Sequence, residues 1–287
     1  MSPVLAGLAA AAAFASATVT VSELSRSIGT GRTVSVSLSL GFVAIAIAAG
    51  LTGPPHADAT TIFWLSIAGV TSLLGFALAC AAFRHGGLGI AVPVISSEGA
   101  IAALIAIAAG EPLGGIVAAG LAVVAVGVLL ATFARRTAQD PAGDGTRSIL
   151  LATACAAVLG LSLYSIGRVS NDVPVVWVIL PSRLAGVLLF ALPNTVSRSL
   201  RSGSLPRLRR RDFAWIVFAE AADLIGLWMY TLGARTSIAV TAVLAAQASP
   251  LAVAFACLFF KERLGRIQTI GFVLITAGVM VVTLGQQ

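Results

Sequence analysis

The chain has 287 residues, of which 58% are hydrophobic and 10% are charged, and its mean hydropathy is +1.01. A soluble globular domain carries roughly 25% charged residues, so this composition excludes an ordinary soluble fold and indicates a protein that uses lipid as its solvent. The formal charge of +7 does not indicate nucleic-acid binding, because the basic residues stand in short segments between apolar runs, where they act as topological anchors.

Apolar runs predict ten transmembrane helices, since a bilayer core needs about 20 apolar residues per helix. In chain order the runs lie at residues 3–22, 33–51, 61–83, 88–109, 114–133, 148–168, 175–194, 213–234, 237–260 and 267–284. No basic residue precedes the first run, as a signal peptide would require, so we expect the first run to be a retained helix.

The helices fall into two groups of five, separated by a polar segment at residues 135–147 that is rich in charge, Gly and Pro. We therefore expect residues 1–134 and 148–287 to form two five-helix repeats. Glu111 and Glu262 follow the fourth and ninth helices at an offset of 151 residues, and the same offset pairs Arg32 with Arg183. An odd number of helices makes the second copy enter the membrane from the opposite side, so the predicted fold is all-α, with two inverted repeats as in secondary transporters.

Lys and Arg residues are unevenly divided between the two membrane faces. The face with fifteen of them carries Arg26, Arg32, Arg84, Arg135, Arg136, Arg147, Arg198, Arg201, Arg207, Arg209, Arg210, Arg211, Lys261, Arg263 and Arg266. The other face is assigned Arg168, Arg183 and Arg235. The positive-inside rule then places the basic loop at 207–211 in the cytoplasm and both termini outside.

Short motifs in both halves resemble the ten-helix EamA transporters of the drug/metabolite transporter superfamily. They are Phe-Phe-Lys-Glu-Arg-Leu-Gly at 259–265 with the apolar stretch 271–279, and the segments 230–234, 249–250, 91–96 and 110–113. The tryptophan usual in the first helix of the family is replaced near Phe14. The resemblance implies a membrane transporter. It also implies cytoplasmic termini, against the charge count, which we follow here.

Glu98 lies near the middle of the fourth predicted helix, next to Ser96 and Ser97. A carboxylate at the bilayer centre costs at least about 2.5 kcal/mol, so Glu98 is a candidate site for a proton or a substrate ammonium group. The alternative is a structural partner for Arg84 or Arg183.

Glu220 and Asp223 lie three residues apart on one face of the eighth helix, and we expect them to form a coupled proton or substrate site. The alternative for Glu220 is an ion pair with an arginine among 209–211.

The middle of the ninth helix carries Gln247, Ser249 and Pro250. At the repeat offset Gln247 corresponds to Ser96 and Ser249 to Glu98, so we expect these polar positions to line the pathway from both halves. Interhelical hydrogen bonding is the alternative. Pro93 and Pro250 are candidate hinges, because proline frees backbone carbonyls in a helix.

Aromatic residues mark the predicted mouths of the pathway. Tyr164 and Arg168 share a face of the sixth helix and are candidates to hold a substrate carboxylate, while Trp228 ends the eighth helix as a further pathway candidate. For Trp64, Trp177 and Tyr230 we expect positions at the membrane interface.

The predicted function is a secondary transporter in a bacterial cytoplasmic (inner) membrane. It exports amino acids or similar small polar or zwitterionic metabolites by alternating access, with protons as the candidate coupling ion and a monomer or homodimer as the assembly. No phosphate-binding loop, metal-ligand spacing, catalytic set or cofactor motif is found in the sequence, so we expect neither an enzyme nor a metal protein. The alternatives are efflux of drugs or other cations and a non-transporting membrane scaffold.

Overall fold

The computed structural model describes residues 2–86, 91, 94–132, 145–188, 209–252, 254 and 266–285, which form ten α-helices and no strand. In chain order the helices are α1 Pro3–Ile28, α2 Thr30–Thr52, α3 Ala59–Gly86, α4 Glu98–Ala108, α5 Gly115–Thr132, α6 Gly145–Arg168, α7 Val175–Gly186, α8 Arg210–Ala234, α9 Ile238–Ala245 and α10 Arg266–Gly285. Helices suit lipid because each one satisfies its own backbone groups. The predicted all-α membrane fold is confirmed.

The helix bounds differ from the predicted runs in two informative places. α1 continues to Ile28, past the apolar run that ended at residue 22, because its last turns reach the polar membrane edge. α6 begins at Gly145, so the last three residues of the predicted 135–147 linker are helical. The remaining linker residues lie outside the described part of the chain.

Five helices are long and apolar enough to cross a membrane: Pro3–Ser25, Arg32–Thr52, Ala59–Ala82, Thr146–Arg168 and Arg210–Ala234. Five more apolar helices have 10–17 described residues. Large apolar side chains such as Leu5, Leu51 and Leu150 are more than 60% exposed, as expected of side chains that face lipid.

Neighbouring helices run antiparallel and define two ends of the bundle. The chain reverses between α1 and α2 at Gly29, whose φ of 89° favours glycine. We call the end that holds this turn the basic face, because Arg32 in α2, Arg147 in α6 and Arg209 before α8 also lie there. We call the other end, with the loops at 53–58, 109–114 and 169–174, the distal face.

Helix contacts between the halves occur in matched pairs. α3 packs against α6, and α1 packs against α8. Replacing both helices of the first pair by the helices five places away in chain order gives the second pair. The same replacement turns the contact between α4 and α6 into the contact between α9 and α1. It also turns the contact between α3 and α7 into the contact between α8 and α2. α1 and α6 start from opposite faces. This pattern is what two inverted copies of a five-helix unit produce.

The contact of α5 with α10 forms a glycine seam, which we define by Gly120, Gly127, Gly271 and Gly278. Gly127 lies so close to α10 that an added Cβ would be 2.8 Å from the Ile275 nitrogen and 2.9 Å from the Gly271 carbonyl oxygen. Gly278 approaches the Gly120 carbonyl in the same way. Gly120 and Gly271, and likewise Gly127 and Gly278, are 151 residues apart, so each half contributes the same two positions to a close helix contact.

Candidate functional site

Two interrupted helices cross near the middle of the bundle. A turn at Ser96–Ser97 directly precedes α4, and a turn at Ala246–Gln247 ends α9, after which residues 248–252 are helical again. These turns lie at matching repeat positions, because Gln247 is 151 residues after Ser96. Gly99 allows the close approach, since it packs against the Ala242 carbonyl with no room for a methyl group.

Pro250 accounts for the interruption of α9. Proline has no N–H to bond the carbonyl four residues back, and its ring clashes with that carbonyl. The affected carbonyl belongs to Ala246, at the turn. The apolar run at 237–260 is therefore interrupted near its centre, beside Pro250. Pro250 itself is buried, whereas Pro93 lies outside the described residues.

Glu98 is the first residue of α4 and points into the bundle. The large exposed side chains of α4, Leu104 and Ile107, are rotated from it by about 240° and 180° on the helical wheel, so Glu98 does not share their lipid face. Its side chain is half-buried. Within the described part of the chain its carboxylate makes no hydrogen bond or ion pair, so its proposed alternative partner Arg183 does not bind it.

Gln247 is 4% exposed, and its side-chain nitrogen Nε2 has no hydrogen-bond partner in the described residues. A buried amide left unpaired is costly, so this donor is available to a guest molecule or water. Ser96 is buried beside a cavity of about 20 Å³, which is room for about one water. The Ser97 hydroxyl donates to the Val94 carbonyl at 2.7 Å, and Ser249 is half-buried.

An ionic cluster of four side chains joins α2, α7 and α8. Arg183 Nη1 lies 3.2 Å from Glu220 Oε1, and Arg183 Nη2 contacts Asp223 Oδ2. The Ser37 hydroxyl donates to Glu220 Oε2 at 2.5 Å. Gly41 of α2 packs directly on the Glu220 carboxylate, where no side chain would fit.

The cluster corrects two expectations. Arg183 is not a loop residue of the distal face but lies in the last turn of α7, 6% exposed. Its guanidinium is the ion-pair partner of Glu220, which replaces the alternative of an ion pair with an arginine among 209–211. Glu220 and Asp223 do lie side by side, but with a cation between them.

Asp223 is the accessible member of this ionic cluster. It lies on the stripe of α8 that includes Ile216, Glu220 and Tyr230, all of which are buried. Its side chain is nevertheless 32% exposed, against 8% for Arg183 and 7% for Glu220. Two carboxylates share one guanidinium, and a proton or a bound cation would balance the remaining negative charge.

A cavity of about 860 Å³ opens at the basic face between the end of α1 and the start of α8, and we call it the basic vestibule. Its lining includes Glu23, Leu24, Arg209, Asp212, Trp215 and Phe218. Trp215 and Phe218 meet edge to face, with ring centroids 5.8 Å apart. The vestibule therefore combines an aromatic wall with charges of both signs.

A smaller cavity of about 500 Å³ opens at the distal face between α3 and α6, and we call it the distal vestibule. Its lining includes His56, Asp58, Thr61, Trp64, Arg168 and Asp172. Its inner end is an edge-to-face contact of Trp64 with the buried Tyr164, with centroids 5.6 Å apart. Arg168 is exposed in it, whereas Tyr164 lies behind Trp64.

Asp58 shows how the distal vestibule is held. Its carboxylate accepts a hydrogen bond from the Thr61 backbone N–H at 2.8 Å and so caps the start of α3. Hydrogen bonds from Thr61, chiefly from its side chain, hold the pKa of Asp58 below its usual value. The loop beside it is tied to α7, because Trp177 donates from Nε1 to the Gly53 carbonyl at 3.0 Å.

Two aromatic residues of α8 occupy different surroundings from those predicted. Tyr230 is fully buried, and its hydroxyl donates to the Leu163 carbonyl at 2.8 Å, so it holds α6 to α8 and is not an interfacial residue. Trp228 is 41% exposed and lines none of the three cavities described above.

Three residues with clear roles were not singled out in the sequence as site residues. Ser37 and Gly41 complete the ionic cluster, and the alternating serines of α2 were the available signal for the first. Glu111 binds the start of α9, accepting from the Ser237 hydroxyl at 2.5 Å and from the Ala239 N–H. The motif glutamate of the first half thus caps a helix of the second half. Among the described residues no group of His, Cys, Asp and Glu could hold a metal ion.

Comparisons with known proteins agree with this architecture. Residues 1–133 match the EamA-like transporter family. A solved structure titled "Crystal structure of protein" superimposes with a TM-score of 0.73 at 18% identity, covering 98% of this chain and 96% of that chain, and at this identity the likeness shows the fold alone. None of the curated proteins matches the chain. Residues 1–133 are thus similar to the EamA-like transporter family, and the chain over almost its whole length shares the fold of that solved structure.

Proposed function

We propose that this protein is a secondary transporter that exports amino acids or similar small zwitterionic metabolites by alternating access. The observation that carries the proposal is the crossing of α4 and α9, where Glu98 has no partner among the described residues and the buried Gln247 amide donor is unpaired. Interrupted helices that cross between two repeats are the usual location of substrate sites in secondary transporters.

The chemistry at the crossing favours a polar substrate that carries an ammonium group. Glu98 supplies a negative charge for the ammonium, and Gln247 supplies a donor for a carboxylate. Ser96 and Ser97 add short polar side chains from the first half, which also contains Glu98. The cavity there holds about one water, so substrate binding requires the two halves to move apart.

Protons are the proposed coupling ion. The ionic cluster carries two carboxylates against one guanidinium, and Asp223 is its accessible member. A proton or a substrate ammonium balances the excess charge, so the two would bind in exchange. The positive-inside rule places the basic face in the cytoplasm, and export then runs from the basic to the distal vestibule.

Replacing the Glu98 carboxylate tests the site. We expect Glu98→Gln to reduce amino-acid transport in proteoliposomes to the level of empty vesicles, because the amide keeps the shape but not the charge. Asp140→Asn, which removes an acid from the predicted linker, is the matched control and should transport normally. A Glu98→Gln protein that transports at the wild-type rate would contradict the proposal.

A substrate panel separates this function from its alternatives. Amino acids, their decarboxylated amines and lipophilic cations would be compared for thermal stabilisation and for counterflow in proteoliposomes. Preference for the zwitterions supports metabolite export, whereas preference for the lipophilic cations would replace it with multidrug efflux. Failure of every compound to exchange would favour a scaffold. A pH-sensitive dye inside the vesicles reports whether each transported substrate moves protons the other way.

A further inference from the structure

The two vestibules are built from equivalent positions of the two halves. The basic vestibule is lined from the start of α8 and the end of α1, and the distal vestibule from the start of α3 and the end of α6. Adding the repeat offset of 151 residues to Asp58, Thr60, Thr61 and Trp64 gives Arg209, Arg211, Asp212 and Trp215, all of which line the basic vestibule.

The equivalent tryptophans are in different states. Trp215 is 46% exposed in the larger vestibule, with Phe218 as its aromatic neighbour. Trp64 is half-buried in the smaller one, where it packs on the buried Tyr164 and joins the hydrophobic core between α3, α6 and α9. In this one conformation Trp215 is exposed in its vestibule, whereas its counterpart Trp64 is packed against the core.

We propose that Trp215 and Trp64 are reciprocal gates of the two vestibules, each docking into the core when its own side closes. The inference rests on the proposed transport function and names the side chains that carry its conformational step. Inverted repeats explain the reciprocity: when the halves exchange conformations, each equivalent residue takes the surroundings of the other. The opposite state therefore exposes Trp64 to the distal face and docks Trp215 against α1.

The chain supplies its own control for a test by fluorescence. It has four tryptophans, and Trp228 lies on the same helix as Trp215 with nearly the same exposure, 41% against 46%, but outside the described vestibules. Three variants would each keep one of Trp215, Trp64 or Trp228, with the other three tryptophans changed to Phe. Iodide probes access from water, and brominated lipids probe access from the bilayer.

At rest we expect iodide to quench Trp215 more strongly than Trp64, and brominated lipid to quench Trp228. An opposing gradient of a transported amino acid should lower the iodide quenching of Trp215 and raise that of Trp64, with Trp228 unchanged. Changes in the same direction, or no change in variants that still transport, would overturn the proposal. Quenching of Trp215 by lipid and not by iodide would also overturn it.

A second measurement covers variants that lose transport. The otherwise unchanged protein would carry 5-fluorotryptophan, with resonances assigned by single Trp→Phe changes and probed with a water-soluble paramagnetic reagent. Opposite responses of Trp64 and Trp215 to substrate support gating. If no compound is transported but the resting difference between them is present, the transport proposal fails and the gate assignment fails with it. If transport occurs and the resting accessibilities are equal, only the gate assignment fails.

Discussion

Arg183 lies between two carboxylates inside the membrane, and the ratio of one positive to two negative charges decides how each substitution in the ionic cluster acts. Removing the guanidinium leaves Glu220 as an uncompensated buried charge beside a second carboxylate, Asp223. This costs far more than replacing the whole ion pair by apolar side chains. Neutralising one carboxylate instead leaves a balanced pair. The cluster should therefore respond asymmetrically to the loss of its cation and the loss of an anion.

We expect Arg183→Leu to destabilise the protein by about 3–5 kcal/mol, the cost of breaking a buried ion pair from one side. Glu220→Gln should be much milder, because the amide can still bond Ser37 and Arg183 keeps Asp223. Thermal unfolding in detergent measures both. Equal effects of the two substitutions would mean that the cluster is hydrated and that Arg183 is not the cation on which it depends.

At the residue scale, sequence reasoning located the acids but not their partners. Glu220 and Asp223 stand out because a carboxylate in an apolar run is expensive and therefore informative. The alternating serines of α2 mark Ser37 as a polar position, but they do not predict its contact with Glu220, which is 183 residues away in the chain. Arg183 was assigned to a loop because arginine in apolar sequence usually anchors an edge, whereas here two acids on another helix stabilise it inside.

At the scale of single helices, the turn at Ala246–Gln247 creates the polar centre of α9. Gln247 lies in this turn and not in the regular helix, and its side-chain nitrogen Nε2 has no hydrogen-bond partner among the described residues. Hydropathy predicted one apolar helix through this region, since Ala, Leu and Val dominate it on both sides of the turn. Pro250 marked the position of the interruption, but its consequence for Gln247 depends on backbone geometry that an apolar run does not reveal.

Pro250→Ala should restore a continuous α9, because alanine supplies the missing N–H to the Ala246 carbonyl. We expect a more heat-stable protein that transports slowly. Pro181→Ala is the matched control: Pro181 also lies inside a helix, α7, but away from the crossing, and its replacement should leave transport close to wild type. Fast transport by Pro250→Ala would show that the turn is dispensable.

At the scale of the whole molecule, the repeat organises what the separate helices do. The 151-residue offset was predicted from Glu111 with Glu262 and Arg32 with Arg183, and it also relates the glycine seam and the linings of the two vestibules. The two acids of the ionic cluster do not follow it, because the counterparts of Glu220 and Asp223 are Gly69 and Ser72, although Arg183 corresponds to Arg32. The repeat therefore predicts architecture better than it predicts charge.

The seam between the halves is testable through one methyl group. Gly127→Ala places a Cβ against the backbone of α10, which cannot move away as a flexible side chain would, so we expect a loss of about 1–3 kcal/mol. Gly115→Ala, at the start of α5 with open space around it, is the control and should not destabilise the protein. If the two variants had the same unfolding midpoint, α5 and α10 would be packed less closely than the glycine seam described above requires.

Two separate copies of one five-helix chain, inserted in opposite directions, would meet through this same seam. Each copy would present its two glycines to those of the other, and the antiparallel α5–α10 contact would become an isologous dimer interface. Fusion of a duplicated gene then requires no new contact surface, because the two separate copies would already form this interface as a dimer. What fusion adds is freedom for the copies to diverge, and Glu220 and Asp223 are residues that a symmetric ancestor would have had to carry twice.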